Sequence, residues 1–186
     1  MQRPGGRSAR IRQQVLDATR ELLLERELDS ITIPEIAERA GVHHTSIYRN
    51  WDDRGSLVGE ALTDLVTAAV PVPNTGNLDD DLTALIDGIV EMYQTPTGKI
   101  LLAVTTSAEA GLVAFRKSYW HRRMGSLAAI LDRAVRRGDL PADTDRKLAF
   151  ELMLGPILSR QLLLEQNLDD LPSQKLVAIL LSGLRG

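Results

Sequence analysis

A stretch near the start of the chain, Ser30 to Trp51, reads SITIPEIAERAGVHHTSIYRNW and leaves little freedom of local structure. Thr32 and Glu35 stand at capping-box spacing, so the threonine oxygen can take the Glu35 amide proton while the carboxylate reaches back. Pro34 falls in the first turn, where a missing N–H costs nothing. Ile36, Ala37 and Ala40 follow as an apolar stripe at helical spacing. Gly41 stops the helix, since a sharp reversal there calls for a left-handed backbone. Val42 points inward, and a second short helix is expected from about His43 to Arg49 with Ile47 as its buried residue. Helix, short glycine turn, helix is the helix-turn-helix arrangement.

The outer face of the second helix carries His43, His44, Thr45, Ser46, Tyr48, Arg49 and Asn50. Nearly all are hydrogen-bonding groups and none is acidic. A solvated structural face would mix in Glu and Asp. A face that meets base edges and phosphates excludes them, because each carboxylate would lie against a line of negative charge.

On these residues the segment from about Arg10 to Leu62 resembles the DNA-binding domain of the TetR family of bacterial transcriptional regulators. The resemblance is carried by Ile36-Ala37, Ala40-Gly41-Val42, Ile47-Tyr48, the aromatic Trp51, and the basic and apolar pair Arg54 and Leu57. The family more often has Phe at the Trp51 position and Lys at the Arg54 position, changes that keep the chemical type. It more often has Ser where His43 stands, and Ser is the better cap.

Tyr48 is the foremost candidate for DNA contact: its hydroxyl suits a phosphate, and the alternative is a ring packed on the first helix. His44, Thr45, Ser46 and Arg49 are candidates for base edges or nearby phosphate. Arg can bond guanine in a bidentate way and Thr can offer its methyl to thymine. Thr32 and Arg54, each at a helix N-terminus, are expected to position the backbone. Arg10 is expected on phosphate from the first helix. His43 is either a contact or only a cap.

The net charge of −3 argues against nucleic acid until its distribution is considered. Arg3, Arg7, Arg10, Arg12 and Arg20 face one acid, Asp17, at the N-terminus, and the acid excess lies further on, notably at Asp79, Asp80 and Asp81. Residues 1–8 read as a mobile basic arm or a plain solvated leader. With 186 residues, 44% hydrophobic content and 25% charged, the chain belongs with soluble globular proteins. It has no cysteine, which excludes disulfides and thiolate metal sites and fits a reducing cytoplasm. No apolar run reaches the roughly 18–20 residues of a membrane span, and no export signal is indicated.

The periodicity elsewhere is helical and no strand pattern is convincing, so an all-α fold of about nine helices is expected. The first helix is expected from about Ser8 to Arg26, with Ile11, Val15, Ala18 and Leu22 on one face. A fourth helix follows Asp52 and Asp53, and Pro71 and Pro73 end it. Asp79 or Asp80 is expected to cap the next, which Pro96 breaks. Helices from about Thr97 to Ala108 and Leu112 to Arg137 come next. Then come one through Leu148, Leu152 and Leu163 with Gly155-Pro156 inside it, and a last one opened by Pro172. The last two are apolar on more than one face, as Leu162-Leu163-Leu164 and Ile179-Leu180-Leu181 show, so a second face must be buried, within the chain or against another.

The resemblance implies residues 1–54 as a DNA-binding head and 55–186 as an effector-binding and dimerisation body. It implies a homodimer paired through the last two helices, about 145–184, that binds a near-palindromic operator and is released by a small-molecule effector. Met92, Tyr93, Phe115, Tyr119, Trp120, Met124 and Met153 are candidate lining residues for the effector, or plain core. A transcriptional activator of the same fold, or a helical small-molecule-binding protein without DNA binding, are the alternatives. No enzyme, cofactor or metal is expected. His43 and His44 are adjacent, so on a helix they point about 100° apart, and His121 is isolated. No G-x-S-x-G or H-E-x-x-H occurs, and Asp139, Asp143 and Asp145 lack the glycine and glutamate of a calcium loop.

Overall fold

The capping signals and apolar stripes place helices where the periodicity predicts them. In the computed structural model, residues 5–164 and 166–185 are described, apart from the side chains of Gly5 and Arg7. The described residues form nine α-helices and no strand: α1 (Gly5–Glu25), α2 (Ile33–Ala40), α3 (His44–Tyr48), α4 (Arg54–Ala69), α5 (Leu78–Gln94), α6 (Pro96–Thr106), α7 (Ala110–Arg137), α8 (Arg146–Leu162) and α9 (Ser173–Arg185). A 3-10 turn, Leu28–Ser30, links α1 to α2. The all-α expectation holds. No single helix among the described residues is long and apolar enough to cross a membrane.

The chain divides into two compact units. One holds α1 to α4 as far as Ala68, with Thr95–Tyr119; the other holds Ala69–Gln94 and the chain from Trp120 onward. In the first unit, α1 buries Val15, Leu16, Ala18, Leu22 and Leu23. It already begins at Gly5, before the expected start at Ser8. The first residues of the expected arm lie outside the described residues.

The capping box of α2 is formed. The Glu35 amide donates to Thr32 Oγ1 at 3.4 Å, and the Thr32 amide donates to Glu35 Oε2 at 2.9 Å. Arg26 binds the other oxygen of the same carboxylate at 2.6 Å. Chiefly through Arg26, and then Thr32, the Glu35 carboxyl is lowered from 4.5 to about 2. Its contribution is complete above the unfolded value and is lost as pH falls toward about 2. Gly41 ends α2 at φ 64°, the left-handed conformation its position calls for.

Asp53 opens α4 by accepting from the Ser56 amide at 2.7 Å and its hydroxyl at 2.6 Å. Here α4 and α7 meet backbone to backbone. A Cβ on Gly55 would lie 2.6 Å from the Leu112 nitrogen, and one on Gly111 would lie 2.2 Å from Asp53 Oδ1. A larger residue at Gly55 cannot enter without moving a helix, and one at Gly111 would displace the Asp53 carboxylate that caps α4.

In the second unit, Leu82, Leu85, Ile86, Leu127, Ile130, Leu131, Phe150, Met153 and Ile157 form the core, with Val177 and Leu181 from α9. Gly138 closes α7 at φ 83°, and Asp145 caps α8 by accepting from the Leu148 amide at 3.0 Å. Pro156 lies inside α8, as the sequence requires. The cap of α5 is corrected: Asn77 Oδ1, not Asp79 or Asp80, accepts from the backbone, taking the Asp80 amide at 3.2 Å. Leu148 and Leu152 on α8, Leu163 and Leu164 after it, and Ile179 on α9 remain exposed, Leu163 by 79%.

Candidate nucleic-acid interface

Five residues are too few to hold a helix unaided, and α3 is fixed by its flanks. Ile47, with no exposed surface, is its buried anchor. His43 is the N-cap, its Nδ1 accepting from the Thr45 amide at 3.4 Å. His43 thus serves as a cap, one of the two roles the sequence offered for it, and its side chain stays exposed. Asn50 Nδ2 donates to the Ser46 carbonyl at 2.8 Å and steadies the other end.

The face this leaves outward is the one read from sequence. His44, Thr45 and Arg49 are exposed and Ser46 is half-buried. Tyr48 is 56% exposed, so its ring is not packed away beneath the first helix. Its ring meets His44 edge-on at 6.4 Å, and His44 stacks near His43 at 4.2 Å. Val42 and Ala40, expected inside, are only half-buried.

The basic residues are sorted by the fold. Arg10 is exposed on α1. Arg12, one of the N-terminal arginines, instead binds Glu60 at 2.5 Å and lies 4.8 Å above the Trp51 ring, while Trp51 Nε1 donates to the same Glu60 at 2.9 Å. Arg20 binds Asp17 at 2.5 Å and Asp64 at 3.1 Å. Arg3 lies outside the described residues.

Thr32 has both its hydroxyl and its amide engaged with Glu35. Arg54 departs furthest from the phosphate role expected of it. Its Nε donates to the Ile31 carbonyl at 2.6 Å, and its other nitrogens bind the Leu28 carbonyl and the Glu109 carboxylate. Neither cluster was found from sequence, because Arg12 with Glu60 and Arg54 with Glu109 are pairings between distant positions that no local pattern marks.

Of the seven candidate effector residues, two fall in the first unit and five in the second. Phe115 and Tyr119 are buried in the first unit, their rings 5.6 Å apart, with Phe115 pressed on Gly59. Met92, Tyr93 and Met153 are buried in the second. Trp120 and Met124 instead line an open groove of about 630 Å³ between α7 and α8 in that unit. Leu154 and Leu158 complete its apolar wall, and Gly125 and Gly155 keep it wide: a Cβ on either would meet no atom within 4 Å. Lys147 and Glu151, paired at 3.5 Å, stand at its rim.

Comparison with known proteins accords with this geometry. Residues 15–61 match the family described as bacterial regulatory proteins, tetR family, and residues 72–180 match the tetracyclin repressor-like C-terminal domain. The HTH-type transcriptional regulator AqdR of Rhodococcus erythropolis is 34% identical over 84% of this chain and 76% of its own length. The uncharacterized HTH-type transcriptional regulator YdeS of Bacillus subtilis is 25% identical over 92% of this chain and 88% of its own. The crystal structure of the TetR family transcription regulator SCO0332 superposes with a TM-score of 0.81 at 29% identity, covering 93% of this chain and 97% of that one.

Proposed function

Because the chain belongs to the TetR family of transcriptional regulators, we propose that it is a repressor that binds a near-palindromic operator as a homodimer and is released by a small-molecule effector. It acts in the cytoplasm. Residues 1–54 read the DNA, and 55–186 carry effector binding and pairing. The observation that supports this best is an exposed, acid-free α3 seated on Ile47. The exposed leucines of α8, with Leu163, Leu164 and Ile179, supply the apolar face for pairing through the last two helices. Two-fold symmetry then presents two recognition helices to half-sites on the order of one helical turn apart.

The test is binding of the purified protein to the DNA upstream of its own gene. Salt-dependent, sequence-selective binding by a dimer is expected, and its absence defeats the reading. Tyr48→Phe is expected to weaken every operator variant alike, by about 1 kcal/mol. Arg49→Ala is expected to lose about 1–3 kcal/mol at a single base position and relax preference there. Mobility shifts over a set of single-base operator variants check both, and the reverse pattern would exchange the two roles.

The groove between α7 and α8 is the place proposed for the effector, since its volume is in the small-molecule range and its wall is apolar. Gly125→Leu should fill it. Compounds that raise the melting temperature of the wild type and release operator should do neither to this variant, while its operator affinity stays unchanged. A Gly125→Leu protein that still responds places the effector elsewhere.

A further inference from the structure

Arg54 is the first residue of α4, yet its guanidinium serves two other segments. It donates to the carbonyls of Leu28 and Ile31, which frame the link between α1 and α2, and to the carboxylate of Glu109, just ahead of α7. The side chain is 19% exposed and Glu109 34%. The planar fork of arginine spreads its five donors over three separated acceptors; a lysine ammonium has three donors on a single nitrogen and would keep the charge but lose this geometry.

The surroundings make the arrangement stiff. Asp53, the preceding residue, caps α4 and lies so close to Gly111 that a side chain there would push its carboxylate aside. Gly55 meets the backbone of Leu112. The turn that leads into α2, the start of α4 and the start of α7 are therefore held as one piece. For Arg54 to reach a phosphate it would have to abandon two part-buried carbonyls, at the cost of leaving them unpaired.

We propose that Glu109 sets operator affinity through Arg54: the ion pair is a positioning clamp that holds the Leu28–Ile31 turn, and with it the capped start of α2, so that α3 is presented in one orientation. The inference rests on the operator-binding reading above. It differs from a direct phosphate role in the sign of its effects. If Arg54 met phosphate, Glu109 would compete with the DNA, and removing its charge would tighten binding.

Operator titrations over a range of salt concentrations test this with full-length Glu109→Gln, Arg54→Gln, Arg54→Lys and the double variant. The clamp predicts that Glu109→Gln and Arg54→Gln each weaken binding about tenfold, the order of one charge-assisted hydrogen bond. The double variant should be no weaker than Arg54→Gln. Arg54→Lys should be as weak as Arg54→Gln, and the slope of log affinity against log salt should not change. Tighter or unaltered binding by Glu109→Gln overturns the clamp. So does a slope reduced in Arg54→Gln by about 0.9, the value of one phosphate contact, or full activity in Arg54→Lys. Amide hydrogen exchange separates this from the reading beneath it. Exchange across residues 28–48 should quicken in Glu109→Gln without any DNA, and unchanged exchange sinks the clamp alone. A wild type that binds no operator overturns the regulator reading, and the affinity role with it.

Discussion

Ile47→Ala is expected to destabilise the DNA-reading unit by about 3 kcal/mol, in the range of Leu/Ile→Ala core truncations, and to weaken operator binding on the order of a hundredfold. The argument is one of lever and load. The helix α3 has five residues, and Ile47 is the one that the fold buries. Its neighbours His44, Thr45, Tyr48 and Arg49 all face outward and contribute little packing. Truncation leaves a cavity beneath the helix while the outward face keeps every group proposed to touch DNA. Loss of binding therefore reports presentation, not chemistry. Ile47→Val should cost only about 1 kcal/mol and retain most binding. Urea denaturation and operator titration of both variants check this. If Ile47→Ala bound within a few-fold of the wild type, α3 would not depend on that anchor.

The same residue shows why this part of the fold could be read without coordinates. Thr32, Glu35 and Gly41 act on neighbours within a few positions, and Ile47 is the lone aliphatic residue of a short polar helix, so spacing reveals the cap, the turn and the anchor. Spacing says less wherever a long-range partner decides where a side chain goes. Arg54 sits at a helix start, which suggests phosphate, but the carbonyls of Leu28 and Ile31 and the carboxylate of Glu109 take its donors. Arg12 counts toward the basic N-terminus in sequence, but Glu60 and Trp51 claim it in the fold. Helical periodicity gave the extent of α7 but not the depth of its residues. Trp120 and Met124 open onto a groove, while Phe115 and Tyr119, earlier on the same helix, are packed away.

Asp81 is the sharpest case of a distant partner, and it carries the second large effect. It reads as one of three consecutive surface acids, Asp79-Asp80-Asp81, yet it is fully buried. Its Oδ1 accepts from the Thr75 amide at 2.6 Å and the Thr75 hydroxyl at 2.8 Å, and its Oδ2 meets Arg133 at 3.3 Å. Arg133 also holds the Pro73 carbonyl, so one carboxylate and one guanidinium tie the loop before α5 to α7. Burial by itself would raise the Asp81 carboxyl. The two Thr75 bonds and Arg133 outweigh it and hold the group below the ordinary carboxylate range. Asp81→Ala removes the acceptor for the Thr75 amide and hydroxyl and leaves the Arg133 cation without its carboxylate. A loss of about 3 kcal/mol is expected, at the low end for a broken buried pair because Arg133 keeps some contact with water. For a chain of this size that is a fall in melting temperature of roughly 6–12 °C. Asp81→Asn keeps the shape and an acceptor for Thr75 but not the charge, so it should lose less and isolate the electrostatic part. Because the folded value lies below the unfolded one, the charge stabilises fully above the unfolded value and fades as pH falls through the folded one. The gap between wild type and Asp81→Asn should therefore be constant near neutrality and close in acid, measured by thermal melts across pH. A gap that persists unchanged at the acid end would mean that the carboxylate's charge contributes nothing, and that Thr75 alone holds the loop.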